Sequence, residues 1–193
     1  GPSPRPFNAV GNGFAGNLED IRVTAGATNF LVTWYDSSDF FEQPYLFGVR
    51  VPVDGAGANV VDPERIAIAQ LPVNQVQAFE ASRHYGVTAG AGGFLVVHDQ
   101  AKLGLYDVHG VFIDETAKPA IANKFNLGSS SPKFPYPQVA TDGTQFFAVW
   151  RRSVSGLADT DIFGALFDKT GTKTGIPLRL SQQFNSTSVE FDL

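Results

Sequence analysis

Two residue types are missing from this chain: its 193 residues include no cysteine and no methionine. The absence of cysteine excludes disulfide bonds, thiolate catalysis and cysteine-ligated metal sites. It does not identify the compartment, because bacterial secreted proteins often lack cysteine. The absence of methionine predicts that the chain is a processed mature form or part of a longer protein.

Charge is also scarce, at 17% of residues, and the net charge is -5. Binding to a nucleic-acid backbone needs a basic face, so the sequence argues against a nucleic-acid partner. The chain has no run of like charges that would bind a membrane surface. No apolar stretch approaches the roughly 18 residues of a membrane span.

Phenylalanine, glycine and proline are the residues that stand out instead. The 17 phenylalanines favour strands, and the 20 glycines and 12 prolines supply many turns. Hydrophobic residues make up 43% of the chain, enough for a sizeable core. Helical periodicity is absent throughout, so we expect an all-β protein.

The chain contains three divergent copies of one repeat. One shared block occupies residues 23–36, 87–99 and 139–150, with starts 64 and 52 residues apart. A second block, which carries a glycine, follows in each copy at Gly48, Gly110 and Gly164, spaced by 62 and 54 residues. The two blocks shift by nearly the same offset, which favours a true repeat.

The third copy shows most clearly which residues predict the strands and turns of one unit. Val139 starts a short strand, and Asp142-Gly143 predicts a two-residue hairpin turn. The return strand, 146–150, is nearly continuously apolar, which predicts burial on both faces. A glycine inside the third strand marks a bulge or a close backbone approach. An alternating fourth strand over 176–180 completes the unit.

Tandem four-stranded antiparallel units predict a β-propeller-like fold, with a β-sandwich and a β-solenoid as alternatives. We expect one array over residues 1–193. Its expected parts are an N-terminal strand stump at 1–20, repeats at 21–75, 76–133 and 134–184, and a C-terminal strand stump at 185–193.

The consensus Asp-Gly-x-x-Phe-x-Val-Trp, followed after a loop by Asp-Ile-x-Gly-x-x-x-Asp-x-x-Gly, resembles a tandem repeat of secreted, mostly uncharacterised bacterial proteins. Residues 137–171 match well and 23–55 moderately, whereas the second copy has His98 in place of Trp34 and Trp150. The resemblance implies a propeller-like fold and a secreted or cell-surface location. It carries no catalytic residue.

The ends of the array suggest self-association. Residues 7–10 fit a last strand, and 188–193 fit an opening strand, of repeats beyond this array. Either the chain is a fragment, or the stumps of neighbouring chains complete each other by strand addition. The second interpretation makes Val189, Phe191 and Leu193 the assembly residues.

The variable loops supply the candidate binding residues. Aromatic side chains beside polar groups suit sugar stacking or protein contact, and these flank the first loop: Tyr35, Phe40, Phe41 and Tyr45. The adjacent pair, Phe40 and Phe41, is preferred, because two neighbouring loop residues are hard to bury together. The same loop offers Asp36 and Asp39 as ligands for a single calcium ion, with solvated loop acids as the alternative.

Nothing in the sequence marks an enzyme. No serine lies in a nucleophile-elbow context. His98 and His109 are expected to meet within one repeat and to replace bulky apolar residues in packing. We therefore expect no cofactor apart from the calcium alternative. The sequence predicts a non-catalytic extracellular structural or adhesive module that associates with itself or with a cell-surface protein or glycan. A carbohydrate-binding, lectin-like propeller is the alternative, and a glycan-active enzyme comes third.

Overall fold

A computed structural model describes residues 18–36, 45–53, 62, 65–70, 84–90, 92–102, 105–117, 121–131, 135–153 and 160–181. These residues form twelve strands and no helix. No described helix is therefore long and apolar enough to cross a membrane.

The strands form three sheets of four consecutive antiparallel strands each. Sheet 1 contains β1 (Leu18–Ala25), β2 (Asn29–Asp36), β3 (Tyr45–Pro52) and β4 (Ile66–Gln70). Sheet 2 contains β5 (Tyr85–Gly90), β6 (Gly93–Lys102), β7 (Leu105–Asp114) and β8 (Ile121–Ser131). Sheet 3 contains β9 (Gln138–Thr141), β10 (Phe146–Ser153), β11 (Thr160–Phe167) and β12 (Lys173–Arg179). The expected all-β, propeller-like array of four-stranded units is confirmed.

The first strand of each sheet lies innermost. Strand β1 contacts β5, and β5 contacts β9, so these three strands run side by side and the others extend outward. The segment expected as an N-terminal stump contributes to the array, since β1 begins at Leu18. The strand expected at 7–10 lies outside the described residues.

Two hydrophobic layers join the sheets. The layer between sheets 1 and 2 is centred on Leu31, Tyr85 and Phe94, and the layer between sheets 2 and 3 on Leu95, Phe146 and Phe167. Strand β6 is accordingly buried on both faces. Strand β10 differs from the expectation of full burial: alternate residues are only half-buried, because no described sheet follows sheet 3.

Each sheet has one face that points toward the following sheet and one that points toward the preceding sheet. Residues such as Leu31 and Leu95 point toward the following sheet, and we call this side the next-sheet face. Residues such as Phe94 and Phe146 point toward the preceding sheet, on the previous-sheet face. Every contact between sheets therefore joins a next-sheet face to a previous-sheet face.

The third-strand glycines are sites of close approach, as predicted. A Cβ atom built on Gly110 would lie 2.0 Å from the Phe125 ring, and one on Gly164 would lie 2.6 Å from the Phe147 ring. In each case a phenylalanine ring from a neighbouring strand occupies the space that a side chain would need. The pairing register also shifts beside Gly48 and Gly164.

The Asp142-Gly143 turn differs from the predicted two-residue hairpin. It is a four-residue loop between Thr141 and Phe146 in which Gly143 has a φ of 91°. The Asp142 carboxylate accepts the backbone N–H groups of Thr144 and Gln145 at 2.8 and 2.9 Å. The side chain therefore closes the turn.

Candidate functional site

Polar residues collect where the three inner strands begin. The position after Trp34, His98 and Trp150 in the repeat is Tyr35, Asp99 and Arg151, again spaced by 64 and 52 residues. Each of these faces a residue near the start of an inner strand. We call the set the inner-strand cluster: Asp20, Arg22, Tyr35, His84, Tyr85, Asp99, Tyr136 and Arg151.

The part of the cluster between sheets 1 and 2 is held by hydrogen bonds. Arg22 binds both carboxylate oxygens of Asp20, at 3.1 and 2.9 Å, and donates to the Tyr85 carbonyl oxygen. Its guanidinium also lies 4.2 Å from the centroid of the Tyr85 ring. The Tyr85 hydroxyl donates to the Asp20 carbonyl oxygen at 2.5 Å. These contacts hold the Asp20 backbone at an unfavourable φ of 48°.

Tyr35 lies in the core rather than beside an open loop. It is 5% exposed, and its ring meets Tyr85 edge-on at 5.4 Å. Burial raises the pKa of Tyr35 well above its ordinary value, and it raises the pKa of Tyr85 to about 12. Both phenols therefore stay protonated, and the Tyr35 ring packs within the protein because sheet 2 covers it.

A buried carboxyl sits behind a partly exposed histidine at the centre of the cluster. Asp99 Oδ2 lies 3.5 Å from His84 Nδ1, and the two side chains are 0% and 39% exposed. Burial raises the pKa of Asp99 to about 7 and lowers the pKa of His84. The Asp99 carboxyl therefore exchanges its proton close to neutral pH.

The outer end of the cluster is aromatic and cationic. Tyr136 is 42% exposed and has a φ of 47°. Its ring lies 4.1 Å from the His84 ring and 5.3 Å from the Arg151 guanidinium. Among the described residues, Arg151 has no carboxylate partner. This end of the cluster exposes a ring and a positive charge together.

The predicted calcium ligands do not form a described metal site. Asp36 is 5% exposed and pairs with Arg65 at 2.7 Å, which supplies the positive charge that a cation would have brought. Asp39 lies outside the described residues, which contain no cluster of three or more metal-ligating side chains.

Most other predicted contact residues cannot be placed. Phe40 and Phe41 lie outside the described residues, as do the assembly residues Val189, Phe191 and Leu193. Tyr45 begins β3, in register with Asp36.

The prediction for the two histidines is confirmed. His98 pairs with His109 across β6 and β7, and their rings stack at 5.6 Å. His98 is 3% exposed, and burial lowers its pKa to about 4. The pair fills space between sheets 1 and 2, as expected of residues that replace bulky apolar side chains.

Sequence reasoning missed Tyr136, Arg151 and His84 as site residues. The signal was present in the repeat: this position changes from Tyr35 to Asp99 to Arg151, while the residues three and four positions before it stay apolar in every copy. Side chains that vary within a constant framework are candidates for binding.

Comparisons with known proteins bear on the fold alone. No protein-family model matches the chain, and no curated protein is similar to it. Among solved structures, it is similar to a subtype N10 neuraminidase-like protein of A/little yellow-shouldered bat/Guatemala/060/2010, with a TM-score of 0.51 and 10% identity. The match covers 88% of this chain and 46% of that one, so the chain spans less than half of its neighbour. The likeness supports the propeller architecture.

Proposed function

We propose that this chain is a non-catalytic extracellular structural or adhesive module that works by assembly. One observation carries the proposal: the next-sheet face of sheet 3 is apolar and open. The third-strand glycines are covered by Ile68 in β4, Phe125 in β8 and Leu180, which directly follows β12. Ile68 is 1% exposed and Phe125 is half-buried, because another sheet lies against them, whereas Leu180 is 48% exposed.

The open face is continuous. Leu178 lies opposite Gly164 and is 54% exposed, and Ile162 and Ile176 are 44% and 83% exposed. Contiguous exposed apolar side chains are typical of interaction surfaces. Because a following sheet buries the corresponding face of sheets 1 and 2, a further sheet is the occupant that this face fits.

Sheet 1 carries the complementary face. Its Trp34–Phe47 pair, with rings 6.3 Å apart, repeats the Trp150–Phe163 pair, with rings 6.5 Å apart. The second pair packs against sheet 2, whereas the first points away from it and is already buried within its own chain, at 3% and 6% exposed. The open part of this face is strand β1. Val23 on this side is 66% exposed.

We therefore propose that a second copy covers sheet 3 through the exposed β1 part of its own previous-sheet face. Contacts of a next-sheet face with a previous-sheet face are head-to-tail, so they close a ring or extend a filament. Strand exchange through residues 189–193 remains a prediction of the sequence.

Light scattering over a wide range of protein concentration tests assembly. We expect masses at multiples of the chain mass, and Leu178→Ser should shift them toward the monomer. Leu105→Ser is the matched control, because Leu105 is a 37% exposed leucine at the start of β7, in sheet 2. Loss of assembly on truncation of 189–193 alone would identify strand exchange as the route. A monomer at every concentration would refute the proposal.

The lectin-like alternative has one observation in its favour, the exposed Tyr136 ring within a polar cluster. A glycan array distinguishes it from assembly. The glycan-active enzyme is tested by incubating the protein with polysaccharides and analysing the products. Release of shorter saccharides would overturn the non-catalytic proposal.

A further inference from the structure

Two of the described arginines, Arg151 and Arg152, have no carboxylate partner among the described residues, and Arg151 is the one that lies in the inner-strand cluster. Arg22, Arg50, Arg65 and Arg179 each pair with a carboxylate. Arg151 is half-buried at the end of sheet 3, and its guanidinium lies 5.3 Å from the Tyr136 ring centroid. A partly desolvated guanidinium next to an aromatic ring is well suited to bind a carboxylate through two parallel N–H···O bonds.

Tyr136 is held in place at an energetic cost. Its φ of 47° lies in the left-handed region that residues with a Cβ rarely adopt, and Asp20 is the only other described non-glycine residue with a positive φ. Both belong to the inner-strand cluster, at the starts of β9 and β1. Such strain typically persists at binding and catalytic sites, where it fixes a side chain in a required position.

The neighbouring charges restrict the ligand to a single negative charge. Asp20 and Asp99 place two carboxyl groups within the same cluster, and Arg22 already neutralises Asp20. A dianion such as a phosphate monoester would meet these carboxylates with only one unpaired guanidinium to compensate. A carboxylate needs only that one guanidinium.

We propose that Arg151, Tyr136 and His84 form a binding site for a small monocarboxylate that carries a ring. The carboxylate binds Arg151, the ring of the ligand packs on Tyr136, and His84 offers a polar edge beside both. Arg151 lies on the next-sheet face of sheet 3, directly across from Ile162, so this site and the assembly surface proposed above compete for the same face. Acidic sugars and aromatic acids share this chemistry.

Isothermal titration with four probes tests the site. D-Glucuronate and benzoate carry both a ring and a carboxylate, acetate lacks the ring, and D-glucose lacks the carboxylate. We expect at least one of the first two to bind about tenfold more tightly than acetate and glucose. Binding of glucuronate alone identifies an acidic sugar, and binding of benzoate alone identifies an aromatic acid. Equal affinity for all four probes, or no binding at millimolar concentration, would overturn the proposal.

Two neighbouring arginines supply a matched pair of variants. Arg151→Gln should weaken binding of the ring-bearing carboxylate by about tenfold or more, because a charge-assisted hydrogen bond is lost. Arg152→Gln is the control: Arg152 lies next in the chain on the opposite face of β10, and its guanidinium is 5.2 Å from the Phe163 ring. Equal losses in both variants would mean that only general charge matters, which would also overturn the proposal.

The tyrosine is tested separately. Tyr136→Leu should reduce the affinity for the ring-bearing carboxylate to that of acetate while acetate binding itself stays unchanged. An unchanged preference for ring-bearing ligands would show that Tyr136 does not form the site. Circular dichroism of each variant, compared with the unmodified chain, confirms that the fold is retained.

Discussion

Asp99 and His98 are adjacent residues in β6 that are buried on opposite faces of sheet 2. Their pKa values are shifted in opposite directions. Burial raises the pKa of Asp99 to about 7 and lowers that of His98 to about 4. In both cases the interior favours the neutral form, because charge is poorly solvated there. The stability of the protein should therefore respond to pH differently through each residue.

Replacing Asp99 with asparagine should stabilise the protein at alkaline pH. The pKa of Asp99 in the folded protein lies above its unfolded value of about 3.9. Its contribution to folding stability is therefore fully present below pH 4 and is lost as the pH rises through 7. Urea unfolding at pH 8 should show Asp99→Asn more stable by on the order of 1–3 kcal/mol, with the difference nearly gone at pH 4. A difference that does not vary with pH would contradict this assignment.

His98 predicts the reverse at acidic pH. Its folded pKa lies below the unfolded value of about 6.5, so stability falls as the pH drops from 6.5 toward 4, by on the order of 2–3 kcal/mol. His98→Leu should remove this part of the acid dependence while keeping the apolar packing. The difference between the two unfolding free energies, measured by urea titration at pH 7 and pH 4.5, is the test. Parallel curves would show that His98 is not the titrating group.

At the scale of the strand, the third-strand glycines fix how closely the fourth strand can pack. The sequence showed these positions as breaks in apolar strands, and the structure shows their cause. The Phe125 ring lies where a Cβ atom on Gly110 would be, 2.0 Å away. A methyl group there must displace the ring or the backbone.

Gly110→Ala should therefore destabilise the protein by about 1–3 kcal/mol. Gly128→Ala in the neighbouring strand is the matched control, because its Cβ would lie 3.3 Å from Trp150 Nε1, and we expect a smaller effect. Thermal or urea unfolding of both variants provides the measurement. Restoration of stability by Phe125→Leu in the Gly110→Ala background would confirm the steric cause, and equal losses in the two alanine variants would contradict it.

At the scale of the whole molecule, sheets 1 and 2 are joined by a buried ion pair as well as by apolar packing. Arg50 is 0% exposed and pairs with Asp62 at 2.5 Å. It also donates to the carbonyl oxygens of Asp114 and Ala117, at 2.7 and 2.9 Å, across the sheet boundary. Removing the cation would leave a buried carboxylate and two carbonyls without their donor.

Arg50→Ala should cost about 3–5 kcal/mol, because a buried charge then loses its partner. Arg65→Ala removes a 42% exposed cation from the buried Asp36 carboxylate and should cost less, about 1–3 kcal/mol. Comparing their urea midpoints at pH 7 measures the difference. Similar costs for both variants would mean that Arg50 does not act as the joint between the sheets.

The strands and the fold class follow from the amino-acid sequence alone. Strand patterns, turn residues and strand glycines act over a few neighbouring residues, and the repeat shows them three times, so the third unit could be predicted almost strand by strand. Only details of local geometry changed, such as the Asp142 loop, where a carboxylate closes the turn in place of a second residue with a positive φ.

Which faces are covered, and which side chains meet, depends on how the three sheets pack against each other. Ile68 and Leu180 each pack on a third-strand glycine, yet Ile68 is buried by the following sheet and Leu180 is exposed, because no described sheet follows sheet 3. Arg151, Tyr136 and His84 come from two different sheets, and local sequence carries no information about that contact. Burial and site geometry depend on the neighbouring sheet. The residues of one repeat do not determine which sheet packs against it.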